Sequence, residues 1–255
     1  MWDPKKYLAF DDHRARPFFD LVNRVGATHP RRVADVGCGP GNLTVTLKDR
    51  WPGAVVEAFD SSPEMVAAAR EIGVAATLED VRDWQPEPDT DVVVSNAVLQ
   101  WVPGHEALLT KWVDALPAGA WIAIQVPGNF DSPSHITIRE LASTEPWQAK
   151  LGTHGLLKRD AVPGPEGYGD VFSAAGCRVD AWETTYLQAL EGPDPVLEWV
   201  TGTALRPVRN ALSDNDWEEF RAELAPLLRQ AYPQRADGTT WLPFRRVFAV
   251  AQKPE

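Results

Sequence analysis

Three glycines at alternate positions, Gly37, Gly39 and Gly41, follow an acidic residue, Asp35, that comes near the end of a short apolar run. Glycine lets the backbone turn sharply and lets a ligand approach without a Cβ in the way. Pro40 removes a backbone donor from this loop, and the Gly-Lys-Ser/Thr ending of a phosphate-binding P-loop does not follow. We therefore expect the loop to hold a ligand that is not bound mainly through phosphates.

Polar residues also follow the next apolar runs of the chain. Asp60 closes the run that starts at Val55, Asp80 follows a third run, and Asn96 ends a fourth. The carboxyl ends of parallel strands meet at one edge of an open α/β sheet, where ligands bind, and an acid that ends the second strand grips a ribose diol in nucleotide-binding βαβ folds. The glycine spacing alone is equally consistent with a plain strand-to-helix turn.

These residues need a parallel sheet to position them. Short aliphatic runs predict strands at 33–37, 54–60, 74–78, 91–96 and 119–126, and helices are predicted between them at 42–50, 63–72 and 105–116. Ser62 and Pro63 are a typical N-cap and first helical residue. Beyond the loop at 127–133, the sequence predicts an amphipathic stretch at 135–149, helices at 168–176, 195–204 and 214–230, and strands at 178–187 and 246–252.

Composition narrows the class of protein. The length of 255 residues and an apolar fraction of 44% suit one α/β domain with insertions. A formal net charge of -11 argues against a nucleic acid partner, which requires clustered Lys and Arg. No stretch approaches the ~20 apolar residues of a membrane span and the first residues carry no signal-like segment, so we expect a cytoplasmic protein without a membrane partner. Cys38 and Cys177 lack metal-ligand spacing, so neither a metal site nor a disulfide framework is expected.

The glycine loop and the polar strand ends together resemble the class I S-adenosylmethionine-dependent methyltransferases over about residues 31–127. The resemblance implies a Rossmann-like, mostly parallel seven-stranded sheet with an antiparallel last strand, and S-adenosylmethionine as cofactor. It further implies that Asp35 lies near the amino acid part of the cofactor, that Asp60 holds the ribose hydroxyls and that Asp80 meets the adenine amine. The other cofactor contacts that it implies are Gly37, Gly39, Asn42, Ser61, Met65, Val81 and Asn96.

A closer resemblance extends nearly end to end. The motifs at 7–10, 14–17, 96–101, 175–177, 182–186, 199–207 and 244–248 are similar to those of the trans-aconitate 2-methyltransferases. This implies methyl transfer from S-adenosylmethionine to a carboxylate of trans-aconitate. The organisation expected for 1–255 is a single domain with an N-terminal lid at 1–30, a cofactor-binding core at 31–127 and helical cap insertions at 128–167 and 192–240. A lead-in helix that covers the sheet edge is the other interpretation of 1–30.

The expected chemistry requires no general base. A carboxylate whose pKa is near ~4 is already ionised at neutral pH, so we predict no catalytic acid or base, only positioning by Gln100, Trp101 and Tyr7. A tricarboxylate needs cations, and we predict substrate contacts from Arg14, His135, Tyr186, Arg206 and Arg246. Other candidate cations are Arg139, Arg209 and Arg245. For any one of these arginines taken alone, a surface or structural role is the favoured interpretation, whereas a site that combines Arg206 and Arg246 favours function.

Three other functions stay open at this point. One is an S-adenosylmethionine-dependent methyltransferase of another small carboxylic acid or a hydroxyl metabolite. Another is a protein that binds S-adenosylmethionine without turnover. The third, a nicotinamide dehydrogenase, is disfavoured because such enzymes prefer Gly-x-Gly-x-x-Gly, whereas the glycines here are evenly spaced. The expected partner is a small polycarboxylate, and a monomer is the favoured oligomeric state.

Overall fold

A computed structural model of the chain describes residues 11–152 and 162–255. The strands are β1 (Arg32–Val36), β2 (Val55–Asp60), β3 (Ala76–Leu78), β4 (Thr90–Asn96), β5 (Trp121–Pro127), β6 (Arg178–Leu190) and β7 (Thr240–Gln252). The helices are α1 (Asp11–Val22), α2 (Thr44–Arg50), α3 (Pro63–Glu71), α4 (His105–Ala115), α5 (Pro133–Ala142), α6 (Trp147–Leu151), α7 (Pro165–Ala174), α8 (Pro195–Thr201), α9 (Arg206–Ala211) and α10 (Asp214–Ala231). A short 3₁₀ helix, Leu99–Trp101, follows β4.

All seven strands join one sheet in the order β3-β2-β1-β4-β5-β7-β6. The pairs β2–β3, β1–β2, β1–β4 and β4–β5 are parallel, whereas β7 runs antiparallel to β5. The predicted mostly parallel seven-stranded sheet with an antiparallel last strand is therefore confirmed. Within the described ranges, none of the helices has both the length and the apolar character that a membrane crossing requires.

Alternation along the strands gives the sheet two faces that pack against different parts of the protein. Ala34 and Val36 of β1 and Ile122 and Ile124 of β5 share a buried cluster. The same cluster takes in Trp112 of α4 and, from α7, Tyr168 and Phe172. Since neighbouring residues of a strand point to opposite faces, the residues between these aliphatic side chains face the other way.

The described residues divide between two compact units. The first is drawn from Met1–Pro127, Val162–Thr184 and Arg246–Glu255, and the second from Gly128–Ala161 and Thr185–Arg245. In the second unit, α10 buries one stripe of its surface, and Phe220 of that stripe meets Trp147 edge-on at 5.1 Å between ring centroids. The indole of Trp147 also donates to Glu223 at 2.9 Å. The second unit therefore has a packed core of its own.

Two of the elements that differ from the sequence prediction do so at a proline. The amphipathic stretch at 135–149 is split into α5 and α6, since Pro146 lies between them and cannot donate to a continuing helix. The last strand begins at Thr240 instead of 246, so its first residues, which include Pro243, were missed. Proline is unusual inside a strand, and this one precedes the segment that pairs with β5.

Candidate functional site

Register places the polar strand ends of the first unit on one face of the sheet. Asp35 is paired with Val94 of β4, so Asp35 and Asn96 point the same way. Asn96 is paired with Gln125 of β5, and Gln125 in turn with Phe248, which lies two residues from Arg246 on β7. This face is opposite to the aliphatic cluster, so the strands present a row of polar side chains near the carboxyl ends of β1, β4 and β5.

The three loop glycines have different roles, although all three have a left-handed backbone. A Cβ on Gly37 would lie 2.3 Å from Val98 Cγ2, and one on Gly41 would lie 3.0 Å from the Cβ of Ala69. A Cβ on Gly39 would meet no atom within 4 Å. Gly37 and Gly41 therefore permit close packing, and Gly39 is the glycine whose bare backbone faces open space.

Asp60 ties the end of β2 to this loop. Its Oδ2 accepts the backbone N–H of Gly39 at 2.9 Å, and its Oδ1 accepts that of Ser62 at 2.9 Å. Burial raises the pKa of Asp60, and the hydrogen bonds from the backbone oppose this change. Each carboxylate oxygen has two lone pairs, so Asp60 can still accept hydroxyl donors such as a ribose diol.

Asp35 is buried beneath the loop. Its Oδ2 accepts the hydroxyl of Thr44 at 2.6 Å. Burial raises the pKa of Asp35 to about 6; the charge of Asp60 adds to the increase, and the Thr44 hydrogen bond opposes it. The Asp35 carboxylate therefore titrates close to neutral pH, where a neighbouring cation would favour its ionised form.

Asp80 is held in a different environment. Arg82 donates to both of its oxygens, from Nε at 2.8 Å and from Nη2 at 2.5 Å. These hydrogen bonds, with one from the Arg82 backbone, lower the pKa of Asp80 to about 2. The carboxylate is thus ionised and is already held by a partner that the sequence analysis did not assign to it.

The other predicted cofactor contacts lie around these acids. Ser61 is exposed after β2, and Met65 is buried with its backbone N–H donating to Ser62 Oγ at 3.3 Å. This bond confirms Ser62 as the N-cap of α3. Val81 belongs to the main apolar cluster, and Asn42 is half-buried before α2.

Two side-chain amides, one at the end of β4 and one in the 3₁₀ helix that follows it, carry buried oxygen atoms without partners. Gln100 donates from Nε2 to the carbonyl of Ala97 at 2.6 Å, and its Oε1 has no hydrogen-bond partner in the described parts of the chain. Asn96 Oδ1 is likewise buried without one. Trp101, next to Gln100, is 36% exposed. Two acceptors are therefore available at this end of the sheet.

Arg246 meets a residue that the sequence analysis did not select. It is buried, and its Nη1 donates to Oε1 of Gln125 at 3.0 Å. Gln125 is the single polar residue in the apolar run of β5, and that isolated position was the only sequence signal for it. The antiparallel pairing of β5 with β7 brings the two side chains together.

The second unit contains three of the predicted substrate contacts. Tyr186 is buried on β6, and Arg206 is half-buried at the start of α9. His135 is buried on α5 with Nδ1 3.1 Å from Ser132 Oγ. Burial and the charge of Arg139 lower the pKa of His135 to about 4, so its imidazole is neutral at pH 7 and offers a hydrogen bond and no charge.

The other candidate arginines of the second unit have partners of their own. Arg139 donates to the carbonyl of Phe130 at 2.8 Å, Arg245 to that of Gly128 at 2.8 Å, and Arg209 to the carboxylate of Asp214. Tyr7 and the side chain of Arg14 lie outside the described residues. Within the described residues, no three His, Cys, Asp or Glu side chains are grouped as a metal site would require.

Comparison with known proteins identifies the family. A family model described as a methyltransferase domain matches residues 10–181. Trans-aconitate 2-methyltransferase from Rhodococcus jostii (strain RHA1) is 64% identical over 252 residues, which is 99% of both chains. The chain belongs to the trans-aconitate 2-methyltransferase family. Another relative, the trans-aconitate 2-methyltransferase of Mycobacterium tuberculosis (strain ATCC 25177 / H37Ra), is 58% identical across 99% of this chain and 97% of its own.

The fold has matches outside the trans-aconitate 2-methyltransferase family. A Haemonchus contortus phosphoethanolamine N-methyltransferase 2, solved with S-adenosylhomocysteine, aligns with a TM-score of 0.55 at 17% identity. The alignment covers 94% of this chain and 53% of that one. At this identity the likeness concerns the fold alone, and it agrees with the class I methyltransferase fold predicted from the sequence.

Proposed function

We propose that the protein transfers a methyl group from S-adenosylmethionine to a carboxylate of trans-aconitate, giving the monomethyl ester and S-adenosylhomocysteine. The observation that carries this proposal is the 64% identity to a trans-aconitate 2-methyltransferase over 99% of both chains. Such a match takes in the segments beyond the cofactor-binding core, where substrate selection is expected. It therefore supports the reaction and the substrate together.

The residues of the first unit fit the cofactor. The open space at Gly39 admits a ligand against the backbone, and Asp60 retains lone pairs for the ribose hydroxyls. The unpartnered oxygens of Asn96 and Gln100 suit a donor-bearing or positively charged group. We propose contacts from Asp35, Gly37, Gly39, Asn42, Asp60, Ser61, Met65, Asp80, Val81 and Asn96.

The chemistry needs positioning more than proton transfer. When bound, S-adenosylmethionine supplies a methyl group activated on a sulfonium. The chain's task is to hold a carboxylate oxygen in line with that methyl group, and such alignment is worth up to ~7 to 11 kcal/mol in favourable cases. Since the substrate carboxylate is already ionised at neutral pH, no residue has to remove a proton. We propose Gln100, Trp101 and Tyr7 as positioning residues.

For the substrate, we propose contacts from Arg14, His135, Tyr186, Arg206 and Arg246. Replacement of Arg206 or Arg246 by Ala should raise the KM for trans-aconitate and leave cofactor affinity nearly unchanged. Weakened cofactor binding with an unaltered KM would contradict this assignment.

We also propose the partners, the location and the oligomeric state of the protein. The net charge of -11 supports a protein without a nucleic acid partner. We also propose that it acts in the cytoplasm as a monomer, without a membrane partner. Gel filtration with light scattering tests the monomeric state, and a dimer at working concentrations would overturn it.

The deciding experiment is methyl transfer from labelled S-adenosylmethionine to trans-aconitate, with citrate and cis-aconitate in parallel and mass spectrometry of the product. A monomethyl ester formed preferentially from trans-aconitate supports the proposal. Tight cofactor binding with transfer only to another small acid would keep the reaction class and change the substrate. Binding without transfer to any acid would overturn the proposed reaction.

A further inference from the structure

Gln125 is buried where β5 pairs with β7, and one end of its side-chain amide already has a hydrogen-bond partner. Its Oε1 accepts from Arg246 Nη1 at 3.0 Å; Gln125 is 0% exposed and Arg246 is 4% exposed. A guanidinium has only donors, so the amide atom that faces it must be the oxygen. The orientation of the amide, which ordinarily has to be assigned, is therefore fixed by its partner.

The other end of this amide is a donor without a partner. Gln125 Nε2 is buried, and it makes no hydrogen bond within residues 11–152 and 162–255. A buried donor that stays unsatisfied costs stability, and native proteins leave few such groups without a ligand, a water or a function to explain them. This N–H group is therefore a candidate contact for a bound molecule.

Two neighbouring unpartnered atoms on this side, on Asn96 and Gln100, are acceptors. Asn96 is the register partner of Gln125 on β4, and its Oδ1 is buried and unpartnered. Gln100 uses its Nε2 on the carbonyl of Ala97, which leaves its unpartnered Oε1 as the free end. We call Asn96, Gln100 and Gln125 the amide row. Its free atoms are two oxygens, at the end of β4 and just after it, and one N–H group on β5 beside the Arg246 cation of β7.

This arrangement, with acceptors at β4 and a donor beside a cation at β5 and β7, matches the two reactants of the proposed reaction. A sulfonium cofactor with an ammonium group suits acceptors, and a polycarboxylate suits donors and a cation. We infer that Gln125 is a specificity-determining residue, whose Nε2 donates to a carboxylate of the acceptor substrate while its Oε1 holds Arg246 for the same anion. The inference rests on the proposed function.

The amide is the side chain that this double role requires. A glutamate at position 125 would accept only, and its charge would neutralise Arg246. A methionine of similar length would offer Arg246 no comparable acceptor and the substrate no donor. Gln125→Glu therefore keeps a partner for Arg246 but repels an anion, whereas Gln125→Met removes both hydrogen bonds without adding charge.

The test measures binding without turnover. Each variant is saturated with S-adenosylhomocysteine, and trans-aconitate is titrated into it by calorimetry. We expect the dissociation constant for trans-aconitate to rise about 10- to 100-fold in Gln125→Met and more in Gln125→Glu, since a hydrogen bond to a charged group is lost in the first and a repulsion is added in the second. The affinity for S-adenosylhomocysteine should change less than about twofold.

Thr90→Val is the matched control. Thr90 is buried at the amino end of β4, and its Oγ1 is also unpartnered, but it lies at the opposite edge of the sheet. We expect its affinity for trans-aconitate to be that of the wild type. If Thr90→Val weakened trans-aconitate binding as much as Gln125→Met did, the effect would be a general loss of core polarity, and the inference would be wrong.

A second substrate separates recognition from folding. Unsaturated dicarboxylates that each lack one carboxylate of trans-aconitate are titrated into the wild type and Gln125→Met. If Gln125 binds the carboxylate that an analogue lacks, the substitution should weaken binding of that analogue less than binding of trans-aconitate. Equal losses for trans-aconitate and for every analogue would contradict the inference. If the wild type methylates trans-aconitate and both Gln125 variants bind it with unchanged affinity, the inference about Gln125 is wrong and the proposed function stands. A wild type that binds S-adenosylhomocysteine but neither binds nor methylates trans-aconitate would overturn the proposed function as well.

Discussion

Lowering the pH from about 7.5 to about 5 should destabilise the protein through His135. The folded state keeps this imidazole neutral, because burial and Arg139 lower the pKa of His135 to about 4. In the unfolded chain the same group takes up a proton as the pH falls through its ordinary value of 6.5. The pKa in the folded state is the depressed one, so stability is fully present above pH 6.5 and is lost as the pH falls towards 4.

The size of the effect follows from these two values. One pKa unit corresponds to about 1.4 kcal/mol, so the loss in the free energy of unfolding is about 2 kcal/mol at pH 5 and about 3 kcal/mol below pH 4. Burial of Asp35 acts in the opposite direction, since its pKa is raised to about 6 and the folded state gains stability as that carboxylate takes up its proton. A variant of His135 is therefore needed to isolate the contribution.

Urea unfolding followed by tryptophan fluorescence at the two pH values measures it. The wild type is compared with His135→Gln and with His29→Gln, a control in which the histidine is exposed. The wild type and the control should lose about 2 kcal/mol more than His135→Gln between pH 7.5 and 5. An equal pH dependence in all three proteins, or an imidazole C–H resonance of folded His135 that titrates near 6.5, would refute the reasoning.

Other predictions concern the glycine loop and its acids. Gly39→Ala should cost about 1 kcal/mol of stability because of its left-handed backbone, whereas Gly37→Ala, whose Cβ would meet Val98, should cost more than about 2 kcal/mol; the reverse order in chemical unfolding would contradict their assigned roles. Asp60→Asn should weaken the binding of S-adenosylmethionine, measured by calorimetry, and leave the KM for trans-aconitate unchanged. An unchanged affinity for S-adenosylmethionine would show that Asp60 does not bind the ribose hydroxyls. Thr44→Val should raise the pKa of Asp35 further and destabilise the fold by about 1.5 to 3 kcal/mol at pH 7.5 and less at pH 5; an equal loss at both would contradict it.

Local patterns predicted the parallel half of the sheet well. Strands predicted at 54–60 and 91–96 occur as Val55–Asp60 and Thr90–Asn96, and Asp60 and Asn96 end them as expected. Each strand is a short aliphatic run that ends at its own turn or helix cap. The residues that predict the strand are therefore the residues that form it. The antiparallel last strand came from the family resemblance, and the structure confirms it.

The side-chain partners could not be predicted in the same way. Gln125 and Arg246 are 121 positions apart in sequence, and only the register between β5 and β7 joins them. The loop glycines are alike in sequence and differ by the neighbours that each one meets in the fold. A single sequence carries no direct record of such pairings. Arg82 was also omitted from the predicted contacts of Asp80, but it lies only two residues away, so this omission has no long-range cause.

Alternation along β5 has a consequence for engineering and for evolution of substrate choice. Gln125 lies on the face that carries Asp35 and Asn96, and its neighbours Ile124 and Val126 lie in the aliphatic cluster on the other face. Substitutions at these positions should therefore have different effects: we expect changes at 124 or 126 to lower folding stability, whereas the role inferred for Gln125 predicts that a change at 125 alters which acid the protein recognises. A library at position 125 alone would test new acceptor acids while the apolar residues of β5 on both faces stayed unchanged.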